Sequence, residues 1–208
     1  MKHIVLLGDS IFDNAAYVHG GESVSEQLSS SVKDCEITLL AVDGDLASDV
    51  NQQLESLPNN ASHVFVSCGG NDALPILEIL DDKVANINEA LSCLVDIRNK
   101  FRSDYKKLIA ALLKRHSHFT LCTVYNKIPG ISENALAALA LFNEVILEEA
   151  IAHKLSIIDL RNICQEVEDY SSVSFIEPSS QGALKIANVI SQVANNSPID
   201  PSVSTVHI

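Results

Sequence analysis

The sequence predicts an α/β fold: a three-layer α/β/α sandwich around a doubly wound sheet of five parallel strands. Two observations predict it. Five short apolar runs, at residues 4–7, 37–42, 64–66, 119–124 and 155–160, are continuous rather than alternating, as suits strands buried on both faces. Longer stretches with helical spacing separate them, and that alternation calls for parallel strands joined by crossover helices.

The elements follow in order. The first run ends at Gly8-Asp9-Ser10. After the second, Val50, Leu54 and Leu57 step by helical spacing. After the third, Val84, Ile87, Leu91, Leu94, Phe101, Tyr105, Leu108 and Leu112 sustain an apolar stripe that fits one long helix or two with a bend. Pro129-Gly130 interrupts the chain after the fourth run, and Ser132 is placed to cap a helix carrying Leu139, Phe142, Ile146 and Ala150. Ala183, Ala187, Ile190 and Ala194 mark the last helix. One domain therefore spans residues 1–194, in a flavodoxin-like layout. Residues 195–208 lose the periodicity, include Pro198 and Pro201, and are expected to form an extended or mobile tail.

Composition narrows the function. The 208 residues are 47% hydrophobic and carry a formal net charge of -13. A surface this acidic repels phosphate backbones, which argues against nucleic acid as a partner. No apolar run reaches the length of a membrane span, and residues 4–7 are too short for a signal-peptide core. The five cysteines, Cys35, Cys68, Cys93, Cys122 and Cys164, are scattered with no C-x-x-C pair, which fits neither a disulfide framework nor a zinc site. A reduced, cytoplasmic, soluble protein without metal or cofactor is the expectation.

In open α/β sheets, ligands bind beyond the carboxyl ends of the strands. The residues that follow the first three runs are therefore the candidates. Ser10 follows the first, where a hydroxyl and its own N–H can share one space. Gly44 follows the second, between Asp43 and Asp45, and a glycine lets a backbone N–H approach a ligand closely. Asn71 follows the third within Gly69-Gly70-Asn71-Asp72, its amide free to donate and Asp72 able to hold a loop by accepting backbone N–H groups. Each segment alone is good turn chemistry. Together they supply a nucleophile and three donors for the negative charge that grows on a carbonyl oxygen during acyl transfer.

Gly8-Asp9-Ser10-Ile11-Phe12-Asp13-Asn14 resembles the first block of the SGNH (GDSL-type) hydrolases, Gly44 the second, and Gly69-Gly70-Asn71-Asp72 the third. The stretch from Ile176 to Gly182 resembles the fifth block, commonly D-x-x-H-P before a helix. The resemblance runs from residue 8 to residue 187. It implies a three-layer sandwich, Ser10 as nucleophile, and an oxyanion hole from Ser10, Gly44 and Asn71. The fifth block departs from the family at both catalytic positions: Glu177 stands where histidine is usual, and Ser174 where aspartate is usual. An ordinary glutamate is roughly two pKa units less basic than histidine, a deficit of about 3 kcal/mol in driving force for proton transfer. Pro178 suits the first turn of the last helix, whose N-terminus would lower the basicity of Glu177 further, whereas Phe175 and Ile176 would raise it by desolvation. Of the seven histidines, His19, downstream of Ser10, and His207, in the tail, are the two with a route to the site.

Two functions follow. The first is a hydrolase of small esters, thioesters or acylated small molecules through Ser10, Gly44, Asn71 and Glu177. The second is a catalytically weak or inactive module that binds an acyl or carbonyl ligand on the same scaffold. A nucleotide-binding protein of similar topology ranks last, since neither G-x-G-x-x-G nor a Walker A motif is present. The loops around Phe12, Ala73-Leu74-Pro75 and Tyr125-Asn126 are expected to form the acyl pocket.

Overall fold

The computed structural model describes residues 2–195 and 203–208. Its sheet is parallel throughout and has six strands, one more than the sequence suggested, in the order β2-β1-β3-β4-β5-β6. The strands are β1 (Lys2–Gly8), β2 (Cys35–Leu39), β3 (His63–Ser67), β4 (Thr120–Cys122), β5 (Ser156–Ile158) and β6 (Val206–His207). The helices are α1 (Val24–Ser31), α2 (Val50–Gln53), α3 (Gly70–Ala73), α4 (Pro75–Ile79), α5 (Ile87–Arg115), α6 (Glu133–His153), α7 (Leu160–Ile163) and α8 (Ser180–Asn195).

The additional strand comes from the segment expected to be an extended or mobile tail. Residues 196–202 of that segment lie outside the described residues. Beyond them, the Ile157 N–H donates to the Thr205 carbonyl at 2.8 Å and the Asp159 N–H to the His207 carbonyl at 2.9 Å. Two residues are too few to carry a periodicity, which is why sequence pattern does not reveal β6.

The continuous apolar runs are explained by a sheet covered on both faces. Val5, Leu7, Val64 and Val66 point to the side packed by α5 and α6. Ile4, Leu6 and Phe65 point to the side packed by α1 and α8. The exception is β2, an edge strand whose residues are half-buried or exposed. The α1 helix, which no pattern in the sequence singled out, is closed by a reciprocal capping box between Ser23 and Glu26.

The long stripe resolves from Ile87 onward into one helix, α5, of 29 residues, while Val84 lies before it in irregular chain. Only its second half, from Phe101 onward, is buried; Ile87 and Leu91 lie in solvent. Ser132 caps α6 as expected, accepting from the Ala135 N–H. At the head of α8, Ser179 accepts from the N–H groups of Gln181 and Gly182. The helix is then locked to the preceding loop, where the buried Asp169 carboxylate takes Lys185 at 2.7 Å.

Strand order sets the location of the site. From β1 the chain crosses to β2 on one side, and from β2 it returns past β1 to β3 on the other. The carboxyl ends of β1 and β3 therefore flank the switch point where such sheets open a crevice. Ser10 leaves one of these strands, and Gly69 to Asn71 leave the other.

Candidate active site

Two glycines bring the strand ends together. Gly8 has φ +129°, and a β-carbon built there would meet the Ser67 carbonyl oxygen at 1.7 Å. Gly69 has φ +119°, with the Phe101 ring 3.0 Å from where its β-carbon would lie. Buried Gln53 ties α2 to the end of β1: its carbonyl accepts from the Gly8 N–H at 2.8 Å, and its amide donates to the Gly8 carbonyl at 2.7 Å and to Asp45 at 2.8 Å. The chain then turns sharply. Asp9, buried, accepts from the Ile11 N–H, and the Phe12 and Asp13 N–H groups bond back to the Asp9 carbonyl. Ser10 sits at this turn, itself buried.

One pocket opens here. It is lined by Asp9, Ser10, Ser67, Asn71, Tyr125 and Glu177 together with a mainly apolar remainder. Ser10, Asn71 and Glu177 thus share a single cavity, although they lie far apart in the chain. Gly44 is not part of the lining. It has φ +87°, faces open space, and stands next to Asp45, whose carbonyl takes the Asn71 amide at 3.0 Å. Asp72 holds this neighbouring loop rather than its own, accepting from the Ala47 N–H at 3.0 Å. Among the described residues, neither the Ser10 nor the Gly44 N–H has a backbone acceptor.

Glu177 reaches the pocket from the loop between α7 and α8. The Glu177 N–H closes a turn onto the Ser174 carbonyl, and the Glu177 carbonyl accepts from the Ser171 N–H. Asn14, fully buried, donates to the Pro178 carbonyl at 3.2 Å and accepts from the Val24 N–H, so the first block and the fifth are fastened together. Tyr125 reaches the same loop from the opposite side, its hydroxyl donating to the Ile176 carbonyl. Pro178 does not occupy the first turn of α8, which starts at Ser180; it forms an isolated bridge with Tyr170.

The electrostatics around Glu177 differ from those of an exposed glutamate. The residue is 4% exposed, and its Oε2 is buried without a hydrogen-bond partner. Burial pushes its carboxyl up to about 7, against the nearby Ser10 side chain, which favours the ionised form; the Asp43 charge adds to the rise. The expected helix-terminus effect is not among the causes, since α8 starts only at Ser180, and desolvation dominates, although Phe175 contributes little to it, being exposed. The Asp9 carboxyl is raised by the same cause, burial, with the charges of Glu177 and Asp72 adding to it. On the outer side, the Tyr17 hydroxyl donates to Asp43 at 2.7 Å, which pushes Tyr17 up to about 12.

The pocket lining contains no histidine. His19 is exposed in the turn before Gly20, and His207 lies on β6, with β3, β4 and β5 between it and β1. Phe12, Pro75 and Asn126, expected near the acyl pocket, do not line it: Phe12 is fully buried against the α1 and α8 side of the core, while Ala73, Leu74 and Tyr125 do line it. Gln53, Asn14 and Asp9 are the site-building residues that sequence reasoning missed. Of these, Asp9 and Asn14 carried a signal, as polar residues flanking the serine turn.

A buried serine and a buried carboxylate thus share the crevice at the switch point of a parallel three-layer α/β sandwich. Residues 6–183 match the family model of the GDSL-like lipase/acylhydrolase family, and the chain belongs to that family. Similar folds are found in the lipase Lip_vut3 from a goat rumen metagenome, at 17% identity and TM-score 0.75 over 96% of this chain and 100% of that one. The extracellular lipase of Streptomyces rimosus matches at 18% identity and TM-score 0.66 over 90% and 99% of the two chains. The acetyl xylan esterase AlAXEase matches at 19% and 0.65 over 92% and 98%. At these identities the likeness is one of fold. No curated protein matches the chain. Among the described residues, no helix is long and apolar enough to cross a membrane.

Proposed function

We propose that the protein hydrolyses carboxylic esters or thioesters of small molecules, with Ser10 as nucleophile and Glu177 as its base. The observation that carries this reading is the buried Glu177 carboxylate beside Ser10, raised to about 7 by its surroundings. A carboxylate of that basicity matches an ordinary imidazole, at about 6.5, and so replaces its proton-accepting role without a partner aspartate.

The steps follow from the arrangement. The Ser10 hydroxyl oxygen attacks the acyl carbon and its proton passes to Glu177. The charge growing on the carbonyl oxygen is met by the Ser10 N–H and the Asn71 amide, while Gly44, outside the lining, leaves room beside Asp45, whose carbonyl holds that amide. Protonated Glu177 returns the proton to the departing alkoxide or thiolate, which leaves as the alcohol or thiol. Water then attacks the acyl-serine, giving its proton to Glu177. The carboxylic acid leaves as the proton returns to Ser10.

The test is the pH dependence of kcat/KM on p-nitrophenyl acetate between pH 5 and 9, with Ser10→Ala as control. The base must be ionised, so activity should fall as pH drops through about 7, approaching tenfold per pH unit on the acid side. Ser10→Ala should remain at the buffer rate throughout. Turnover that survives Ser10→Ala sinks the reading. The absence of histidine from the lining favours the competing function, a ligand-binding module; a wild type with no Ser10-dependent turnover would select it.

A further inference from the structure

A run of hydrogen bonds leads from the Glu177 backbone to a pair of carboxylates. The Ser171 N–H donates to the Glu177 carbonyl at 2.8 Å, and the Ser171 hydroxyl to the Tyr17 carbonyl at 2.6 Å. The Tyr17 hydroxyl donates to Asp43 at 2.7 Å, and the Asp43 N–H to the Asp13 carboxylate at 3.0 Å. Tyr17, half-buried, thus spans from the Glu177 loop to the loop that carries Gly44. The charges of Asp43, Glu177 and Asp13 all bear on its hydroxyl. Few bases stand near them in the chain. From residue 3 to residue 82, which includes the loops after β1, β2 and β3, the one lysine is Lys33, ahead of β2, and there is no arginine. Residues 162–184, which carry Glu177, have neither. The bases at this edge follow the strands beyond: Lys127 follows β4, and Arg161 follows β5, where Asp159 holds it at 2.7 Å. Exposed carboxylates alone are a solvated surface. Here a buried one accompanies them. Glu177, 4% exposed, lines the pocket and holds Oε2 without a partner among the described residues. An acceptor kept from water in this way calls for a donor or a positive charge from a ligand.

We propose that Asp13, Asp43 and the ring of Tyr17 form a subsite for an organic ammonium group on the alcohol part of the ester, as in a choline-like alcohol. The proposal rests on the reading of Ser10 as nucleophile and Glu177 as base. Glu177 hands its proton to the departing alcohol, so the alcohol part lies against Glu177, on which the Asp43 charge also acts. An N-methylated ammonium has no proton to donate. It is held by opposite charge and by an aromatic face, and both are present here. A neutral alcohol of the same shape gains neither, and an anionic one is repelled. Two carboxylates open to solvent and one ring are together worth about a tenfold preference.

The experiment compares molecules that differ only in charge. The first arm measures kcat/KM, by acid release, on acetylcholine and on neohexyl acetate, its neutral carbon isostere. The proteins are the wild type, Asp13→Asn combined with Asp43→Asn, and Tyr17→Leu. Asparagine keeps the acceptors that the Tyr17 hydroxyl and the Asp43 N–H use and removes only the charge. Both esters transfer acetyl, so a change in the chemistry at Ser10 enters both rates, and their ratio reads the alcohol part. The ratio should be at least tenfold in favour of acetylcholine in the wild type and drop at least threefold in each variant. The second arm measures binding of choline and neohexyl alcohol to Ser10→Ala by titration calorimetry. Choline should bind at least tenfold more tightly, and the two asparagine substitutions in the same background should remove the difference. A wild-type ratio near one, a ratio unmoved by either variant, or equal binding of the two alcohols overturns the subsite. No turnover of either ester together with choline-selective binding supports the subsite and removes the hydrolase reading instead, so the two failures are distinguishable.

Discussion

Glu177→Gln is expected to lower ester hydrolysis by roughly 10²–10⁴-fold, the contribution of a positioned general base, and at the same time to stabilise the protein at pH 8. The two effects share one cause. A carboxyl that titrates at 4.5 in an exposed chain and at about 7 when folded holds its proton more tightly in the native state. The unfolded state therefore gains by ionising as pH rises from 4.5, and stability falls until the folded group ionises near 7. Below that window the group contributes nothing to the difference; above it the full cost is present, about 3 kcal/mol at most. Glutamine fills the same volume without a charge to desolvate. Urea unfolding of both proteins at pH 5 and pH 8 measures the effect: the variant's advantage should be small at pH 5 and large at pH 8. A variant that hydrolyses esters at the wild-type rate would show that Glu177 is an anchor, and one that gains nothing with pH would show that its burial is not costly.

Gly8→Ala is expected to prevent folding. A methyl group there would lie 1.7 Å from the Ser67 carbonyl oxygen, within the β1–β3 pairing, in a backbone with φ +129°. Neither strand can retreat. Gln53 grips both the N–H and the carbonyl of Gly8, and strands β1 and β3 are sealed between two helical layers. The cost should exceed ~4–5 kcal/mol, against a total stability typically of ~5–15 kcal/mol. Gly44→Ala is the control. Its φ is also positive, +87°, but nothing lies within 4 Å of the added carbon, so only the backbone penalty of ~1–2 kcal/mol applies. Thermal melts followed by circular dichroism separate the two, and a Gly8→Ala protein with a melting point near that of Gly44→Ala would refute the steric argument.

The sequence makes legible what local chemistry determines. Ser10, Gly44 and Asn71 stand directly after apolar runs, and small polar residues at strand ends are visible without any knowledge of packing. The pairing of the first block with the fifth is harder to see, since it depends on Asn14 reaching the Pro178 carbonyl across the fold. The direction of the Glu177 shift is only half legible, because it depends on residues remote in sequence, Ser10 and Asp43, and on the walls that exclude water. The stripe on α5 shows the opposite error. Ile87 and Leu91 keep the helical spacing of a core face, yet lie in solvent, and Val84 is not helical at all, because the core is built only along the later turns. Periodicity reports a face, not what covers it. The role of Gln53 was hidden for a related reason, as a glutamine in a short helix carries no mark of the backbone it holds.

The two-residue strand β6 has a consequence for how molecules of this protein meet one another. On that side of the sheet, Val206 and His207 stand as a short parapet beside β5, whose three residues are all buried. Without them the N–H groups of Ile157 and Asp159 would face outward with no acceptor, an open margin onto which a strand of another molecule could zip. Ser10 lies at the far end of β1, with β3, β4 and β5 in between. Removing residues 203–208 should therefore leave the pocket standing and turn a dispersed solution into one that self-associates, read as a rise in scattering with time while activity per folded molecule holds.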